Sequence, residues 1–297
     1  MNTIRHLDEY TRSCTTCDRK RFVIGARQDV AQARICKDCF SICPACEGHE
    51  YYYETNEKGY EVAKRCPVCG SLKQRITAFN DARLPRRHSH STLGDDFRTH
   101  YPGPGGVQGE PIGNLPRARF RIYNWAKGFL PGEKGFLLHG TVGTGKTHLL
   151  AATLRHLTLE MGIPCRFVEF THLLSEIKEQ FDQGRGETAV LAPLIDVPVL
   201  AIDELGKGRN SEWQLSIIDE IISKRYNRSL TTLFTTNYPV LDRGLLAGGV
   251  DDPDFHRNAT YSTLPERVGE RVFSRLFEMA EFIEIDAPDF RKESQGR

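Results

Sequence analysis

The sequence has no apolar run approaching the ~20 residues that a membrane-crossing helix needs. Its opening residues, Met1 to Glu9, are too polar for the apolar segment of a secretion signal. Net charge is nearly absent as well: 40 Lys and Arg against 39 Asp and Glu leave +1, so bulk charge argues for no class of partner. The balance conceals a mildly basic front, with 16 Lys and Arg against 11 Asp and Glu in residues 1–92 and 24 against 28 beyond them. These absences lead to the expectation of a soluble cytoplasmic protein that does not enter a membrane. At 297 residues it has room for one large domain or two.

Nine cysteines would suggest disulfides, but their spacing argues otherwise. Eight fall in C-x-x-C pairs, Cys14/Cys17, Cys36/Cys39, Cys43/Cys46 and Cys66/Cys69, with 18 residues between the first two pairs and 19 between the last two. A C-x-x-C turn aims two thiolates at one metal ion, and two such turns complete a tetrahedral shell. The pattern predicts two structural Zn2+ ions, with no ligand position left open for a catalytic water. Between Cys46 and Cys66, the run Tyr51-Tyr52-Tyr53, the turn Asn56 to Gly59 and the return Tyr60 to Val62 predict a hairpin, hence a zinc ribbon. Phe22 to Ile24 suggests a looser version in the first half. Each unit is too short to bury a core, so metal would supply much of its folding energy. The expected pairing is sequential, first four cysteines and last four. An interleaved set joining Cys14/Cys17 to Cys43/Cys46 satisfies the same spacing. Redox pairs would call for a βαβ setting that the sequence lacks. Cys165 stands apart, at the start of an expected strand, as a small buried hydrophobe.

Residues 10–75 are thus expected to form a tandem zinc-ribbon domain. Apolar periodicity lapses after residue 70, so 76–118, with its Gly/Pro-rich Pro102 to Gly106, is expected to be a linker. His88, His90 and His100 fall there. They are expected to be solvated loop residues, because the cysteine sets need no further ligand.

Residues 119–290 carry the chemistry. Gly140-Thr141-Val142-Gly143-Thr144-Gly145-Lys146-Thr147 fits G-x-x-x-x-G-K-[ST] at every fixed position. Gly135 to His139 before it has the character of a buried strand. Lys146 to Met161 after it has that of a helix, with Leu149, Leu150, Leu154 and Leu157 at helical spacing. The three glycines let backbone N–H groups curl round a phosphate at a helix N-terminus, which already favours anions. Gly140 through His148 are therefore the expected ATP contacts. Lys146 would reach the β- and γ-phosphates, and the Thr147 hydroxyl would ligate Mg2+. Downstream, Val197 to Glu204 is an apolar strand ending in an acidic pair. Asp203 would hold Mg2+ and Glu204 would polarise the attacking water. Thr231 to Asn237 is a further strand ending in an amide, able to orient that water. Pro265 to Leu276 suggests one helix, with Arg267, Arg271 and Arg275 along a single face. Phe282 to Asp286 is the last expected strand. The fold class expected is α/β, a P-loop core on a five-stranded, mostly parallel sheet with no helical lid, preceded by the zinc-ribbon domain.

Gly140 to Thr147, Val199 to Gly206, Thr235 to Asn237 and Gly269 to Ala280, in this order and spacing, resemble the AAA+ ATPases of the DnaC/IstB-like family. That family includes bacterial helicase loaders and transposition helpers. The resemblance implies ATP hydrolysis with Mg2+ and a sensor role for Asn237. It implies an arginine finger offered to a neighbouring subunit, with Arg271 the first candidate and Arg275 the second. Phe170 to Val197 corresponds to a region that touches single-stranded DNA in initiator-type relatives, where Lys178 and Arg185 are the basic residues. A departure from the wider AAA+ pattern is expected, with no lid after Asp286 and hence no second sensor. By analogy with a zinc-bearing loader type, residues 10–75 would grip the partner. The functions implied are a loader of a replicative DNA helicase, slow and partner-regulated in turnover, or an ATPase helper of a transposase. A third reading, a non-catalytic zinc-ribbon adaptor, predicts that Glu204→Gln changes nothing in binding. The acidic pair and Asn237 argue against a small-molecule kinase.

Overall fold

The structure is a computed structural model. It describes residues 14–18, 20–38, 46, 49, 51–66, 69–94, 97–103, 108–209, 211–240 and 262–293. The chain divides into two compact units, residues 1–90 with 155–164, and residues 91–154 with 165–297.

The first unit is built on two hairpins and a helix. Strands β1 (Phe22–Arg27) and β2 (Val30–Ile35) pair antiparallel in unbroken register. So do β3 (Tyr51–Thr55) and β4 (Glu61–Arg65). The looser hairpin expected of the first half is therefore regular and six residues to a strand. The second turns on Asn56, whose side-chain oxygen accepts from the N–H groups of Lys58 and Tyr60, both at 3.0 Å. Helix α1 (Gly70–Asp81) buries Leu72, Ile76 and Phe79 on one side. Asn80 ties it to β2, accepting from Ala33 N–H at 2.7 Å and donating to the Ala33 carbonyl at 3.1 Å. The chain then runs alongside β2, where Ala31 N–H donates to the Leu84 carbonyl at 2.8 Å.

The stretch expected to be a linker is accordingly not structureless. It holds the end of α1, a turn of 3-10 helix over Arg86–His88, and a two-stranded ribbon of β5 (His100–Pro102) and β6 (Gln108–Pro111). Apolar positions in the 3-10 turn and the two short strands are too few to print a period on the sequence.

The second unit is one sheet covered by helices. Its strands are β7 (Gly135–His139), β8 (Cys165–Glu169), β9 (Val199–Asp203), β10 (Thr231–Thr236) and β11 (Ala280–Glu284), in the order β11-β7-β10-β9-β8. Every pairing is parallel, so the sheet is wholly rather than mostly so. Each crossover is helical: α3 (Lys146–Leu159), then α4 (Phe170–Asp182) with α5 (Glu187–Ile195), then α6 (Glu212–Asn227), then α7 (Leu264–Val268) with α8 (Glu270–Met279). Helix α2 (Leu115–Gly128) precedes the sheet. Strands β9 and β10 are buried at every position, as expected of a parallel sheet covered on both faces. One apolar cluster joins Leu200, Ile202 and Phe234 of the sheet to Leu173, Leu191, Ile218, Ile221 and Leu276 of the helices.

Two local expectations give way. The helix expected over Pro265 to Leu276 is broken at Gly269, whose φ of 84° belongs to the left-handed region that only glycine enters freely. Arg267 is therefore not in line with Arg271 and Arg275. Also unforeseen is Arg225, fully buried under α5, which donates to the carbonyls of Leu194, Val197 and Thr231 at 2.9, 2.7 and 2.6 Å. It satisfies the last carbonyls of α5 where no glycine does. Cys165 is buried, as expected, and burial pushes its thiol up out of reactive range.

Candidate functional site

The phosphate loop lies at the C-terminal end of β7, where parallel sheets bind ligands. Lys146 is buried and its ammonium folds back into its own loop, donating to the Gly140 carbonyl at 2.9 Å and to Thr144 Oγ1 at 3.3 Å. Burial is the chief cause of its pKa being lowered to about 8. Arg291 adds to that effect, while Asp203 and Glu204 oppose it. Thr147 Oγ1 donates to both oxygens of Asp203, at 3.0 and 3.2 Å. The two residues expected to share Mg2+ are thus side by side, and a hydroxyl with a buried carboxylate is the hard oxygen donor set that Mg2+ takes. His148 contributes differently from expectation. Its Nδ1 is 3.2 Å from Ser91 Oγ and its ring packs 4.8 Å from Phe97.

Asp203 and Glu204 are separated by backbone geometry. Asp203 ends β9 with its side chain in the sheet's interior. Glu204 follows at φ 56°, a conformation that costs a non-glycine residue about 1–3 kcal/mol and turns its side chain elsewhere. The carboxylate is held in an ion pair by Lys207, which also reaches Glu169 at 3.7 Å. The bond to Glu204 raises the Lys207 ammonium above its ordinary range.

Thr235 on β10 joins the pair. Its hydroxyl donates to Asp203 Oδ1 at 2.5 Å and accepts from Glu204 N–H at 2.9 Å. Sequence reasoning placed Thr235 in a motif without giving it a role, and did not single out Lys207. The threonine pairs Thr231-Thr232 and Thr235-Thr236 in this strand were the one available signal. Asn237 stands exposed just beyond the end of β10, the strand next to β7.

The three arginines have different fates. Arg267 Nε donates to the Gly206 carbonyl at 2.7 Å, bracing the loop after β9. Arg275 donates to Asp219 Oδ1 at 3.1 Å with its side chain 20% exposed. Arg271 is 73% exposed, 3.7 Å from the same carboxylate. Of the two candidate fingers, Arg275 is a packed internal contact and Arg271 is presented to solvent.

The residues after β11 return to the phosphate loop. Ile285 N–H donates to the His139 carbonyl at 2.7 Å, and Phe290 N–H to the Gly143 carbonyl at 3.2 Å. A Cβ at Gly140 would collide with the Ile285 carbonyl, and one at Gly143 with the Asp289 carboxylate. Packing against backbone therefore requires glycine at Gly140, whereas at Gly143 the Asp289 side chain could swing away and it is the φ of 83° that calls for glycine.

The cysteines of the first unit form two groups, Cys14 with Cys17 and Cys36, and Cys46 with Cys66 and Cys69, each with its sulfurs within 4.8 Å of one another. The grouping is sequential, not interleaved. Cys14 and Cys36 Sγ are 3.8 Å apart, and Cys46 and Cys69 Sγ 3.4 Å. Thiolates about 2.3 Å from a shared tetrahedral ion lie roughly 3.8 Å from each other, so both groups fit zinc. Cys39 and Cys43, the fourth member expected of each, lie outside the described residues. His88, His90 and His100 join no such group among the described residues.

Strand order, phosphate loop and acidic strand end define a P-loop ATP-binding protein of AAA+ architecture. Residues 126–245 match the family model described as IstB-like ATP binding protein. The crystal structure of the DnaC helicase loader superposes with a TM-score of 0.52 at 31% identity, covering 68% of this chain and 99% of that one. The replicative helicase loader DnaC of Escherichia coli K12 is 33% identical over 103 residues, 34% of this chain and 42% of the relative. That of Buchnera aphidicola subsp. Baizongia pistaciae is 29% identical over 154 residues, 51% and 54% of the two. The match thus spans about half or less of these curated relatives' length. The chain belongs to the DnaC/IstB-like family of AAA+ ATPases. No described helix is long and apolar enough to cross a membrane.

Proposed function

We propose that this chain loads a replicative DNA helicase in the bacterial cytoplasm, switched by ATP and ADP. The observation that carries the reading is the joining of a complete phosphate loop and acidic strand end to a cysteine-clustered front, in a chain 31% identical to a helicase loader across 99% of its solved structure. In this reading the first unit, with Cys14, Cys17, Cys36 and Cys39 on one Zn2+ and Cys43, Cys46, Cys66 and Cys69 on another, grips the helicase. The second unit binds ATP through Gly140 to Thr147. Thr147 and Asp203 hold Mg2+, which screens phosphate charge when bound.

Lys146 leaves its own carbonyls for the phosphates. Glu204 takes the proton side of the attacking water once Lys207 releases it, and Asn237 orients that water. Arg271, exposed, completes the site of a neighbouring copy. Turnover is slow, because the Lys207–Glu204 ion pair keeps the base occupied in the resting protein. Single-stranded DNA is contacted along 170–197, where Lys178 and Arg185 supply charge.

Native mass measurement of the full chain with the organism's replicative helicase, in ATP and in ADP, tests this. A complex whose stability depends on the nucleotide is expected. No complex in either state would move the assignment to a transposase helper, which the IstB-like match also supports.

A further inference from the structure

Three carboxylates meet where β8 and β9 end, and two of them share one lysine. Strand register sets Glu169 directly beside Asp203, and Glu204 follows Asp203 in the chain. Lys207 is ion-paired with Glu204 and lies 3.7 Å from Glu169 Oε1. The proposed hydrolysis employs Asp203 and Glu204 but gives Glu169 no part.

Glu169 is held in place by its own neighbours. Its Oε1 accepts from the Thr171 hydroxyl at 2.5 Å, and its Oε2 lies 3.4 Å from His172 Nε2. Burial pushes its carboxyl up, but the Thr171 bond, His172 and Lys207 more than offset that and hold it below the ordinary carboxylate range. Glu169 is thus an anion in a fixed position. The loop that carries Lys207 is anchored too. Arg267 donates to the Gly206 carbonyl at 2.7 Å and to the Gly208 carbonyl, and Leu205 N–H donates to the Thr235 carbonyl at 2.8 Å. With the loop and both anions fixed, the part free to turn is the lysine's four-carbon stem. Its side chain is half exposed, and an ion pair that stands half in water is weak enough to exchange.

We propose that Glu169 is a positioning residue for hydrolysis: it is the second acceptor of the Lys207 ammonium, and by drawing that cation off Glu204 it sets how often the base is free. This rests on Glu204 being the base, as proposed above. With Lys207 on Glu204, the carboxylate is neutralised and closed to water. With Lys207 on Glu169, it is open to accept a proton. The separation of 3.7 Å from Glu169 is already within ion-pair reach, so rotation of the lysine side chain completes the exchange. One cation passes between two fixed anions, and no bond is made or broken in the backbone.

Single-turnover hydrolysis by the full, zinc-loaded chain, measured beside equilibrium nucleotide binding, tests the proposal. Glu169→Gln keeps the shape of the side chain and removes its charge, leaving Lys207 one anionic acceptor. It is expected to slow hydrolysis about three- to fivefold with nucleotide affinity kept, the range of a partly exposed ion pair. Lys207→Ala is expected to speed hydrolysis by at least about threefold. The two effects should be coupled: Glu169→Gln introduced into Lys207→Ala should alter the rate by less than about 1.7-fold, because Glu169 acts through the lysine. A role in packing alone would slow both backgrounds alike, and that result would overturn the proposal. So would faster hydrolysis in Glu169→Gln or slower hydrolysis in Lys207→Ala. Unchanged hydrolysis in Glu204→Gln would remove the base assignment and this proposal with it. A full Glu204→Gln effect without coupling between Glu169 and Lys207 would overturn this proposal alone.

Discussion

The two units of this chain hold their shape by opposite means. The second encloses a continuous apolar cluster that runs from α4 through the sheet to α8, and its polar groups are posted at strand ends by that core. The first buries a small set around Phe22, Leu72, Phe79 and Leu84, while the cluster beside its second hairpin consists, among the described residues, of Cys46, Cys66 and Cys69. In one unit burial positions the chemistry. In the other the chemistry has to supply what burial does not. A group of three thiols is no hydrophobic core, so the hairpin above it depends on whatever the sulfurs bind.

Chelation should expose that difference most completely. Removing zinc is expected to abolish amide protection over Tyr51 to Cys66 while β7, β9 and β10 keep theirs, read by hydrogen-exchange mass spectrometry. Metal analysis should give two zinc ions per chain beforehand. Both units melting together, or neither responding, would break the comparison.

Arg271→Ala should lower turnover of the assembled protein about 10³-fold or more, the range of a lost finger. Arg275→Ala should instead cost stability, about 1–2 kcal/mol, through the bond to Asp219, read by denaturant unfolding. Reversed outcomes would exchange their roles.

Glu204→Gln is expected to slow hydrolysis about 10²-fold or more with nucleotide affinity kept within a few-fold, measured by single-turnover kinetics beside equilibrium binding. An unchanged rate would return the second unit to a passive role.

The mildest effect is on pH. Burial lowers Lys146 from 10.5 to about 8, so above that value the folded chain binds fewer protons than the unfolded one, and this group's contribution to stability rises with pH towards 10.5. Nucleotide needs the ammonium. Its affinity should be level below about pH 7 and fall above pH 8, by at most about tenfold per unit, with proton uptake on binding seen in calorimetry. A flat profile to pH 9.5 would show that Lys146 keeps its proton despite burial.

What was legible in the sequence follows from distance along the chain. Gly140 to Thr147 do their work within one turn of backbone, so their spacing is a direct image of the site. The C-x-x-C pairs are legible for the same reason. Asp203 was recognisable because an acidic pair closes an apolar strand. Its partner Thr235 was not, because β9–β10 register brings them together from 32 residues apart. Lys207 is near in sequence, yet its pairing depends on the left-handed turn at Glu204, which no residue type announces. The helix break was announced by Gly269, but the regular arginine spacing on either side outweighed it. In α1 the apolar positions Leu72, Ile76 and Phe79 do keep a helical period. They begin directly after Cys69, so the helix start was hidden inside a metal motif.

The return of residues 285–293 to Gly140 and Gly143 has a practical side. Residues 285–290 and the loop that cradles phosphate are tied together by the bonds of Ile285 and Phe290. A purification handle, a fluorophore or a surface tether attached beyond Glu293 is therefore not a neutral addition. It loads the backbone that is bonded to Gly143, and a force probe fixed there should register nucleotide binding.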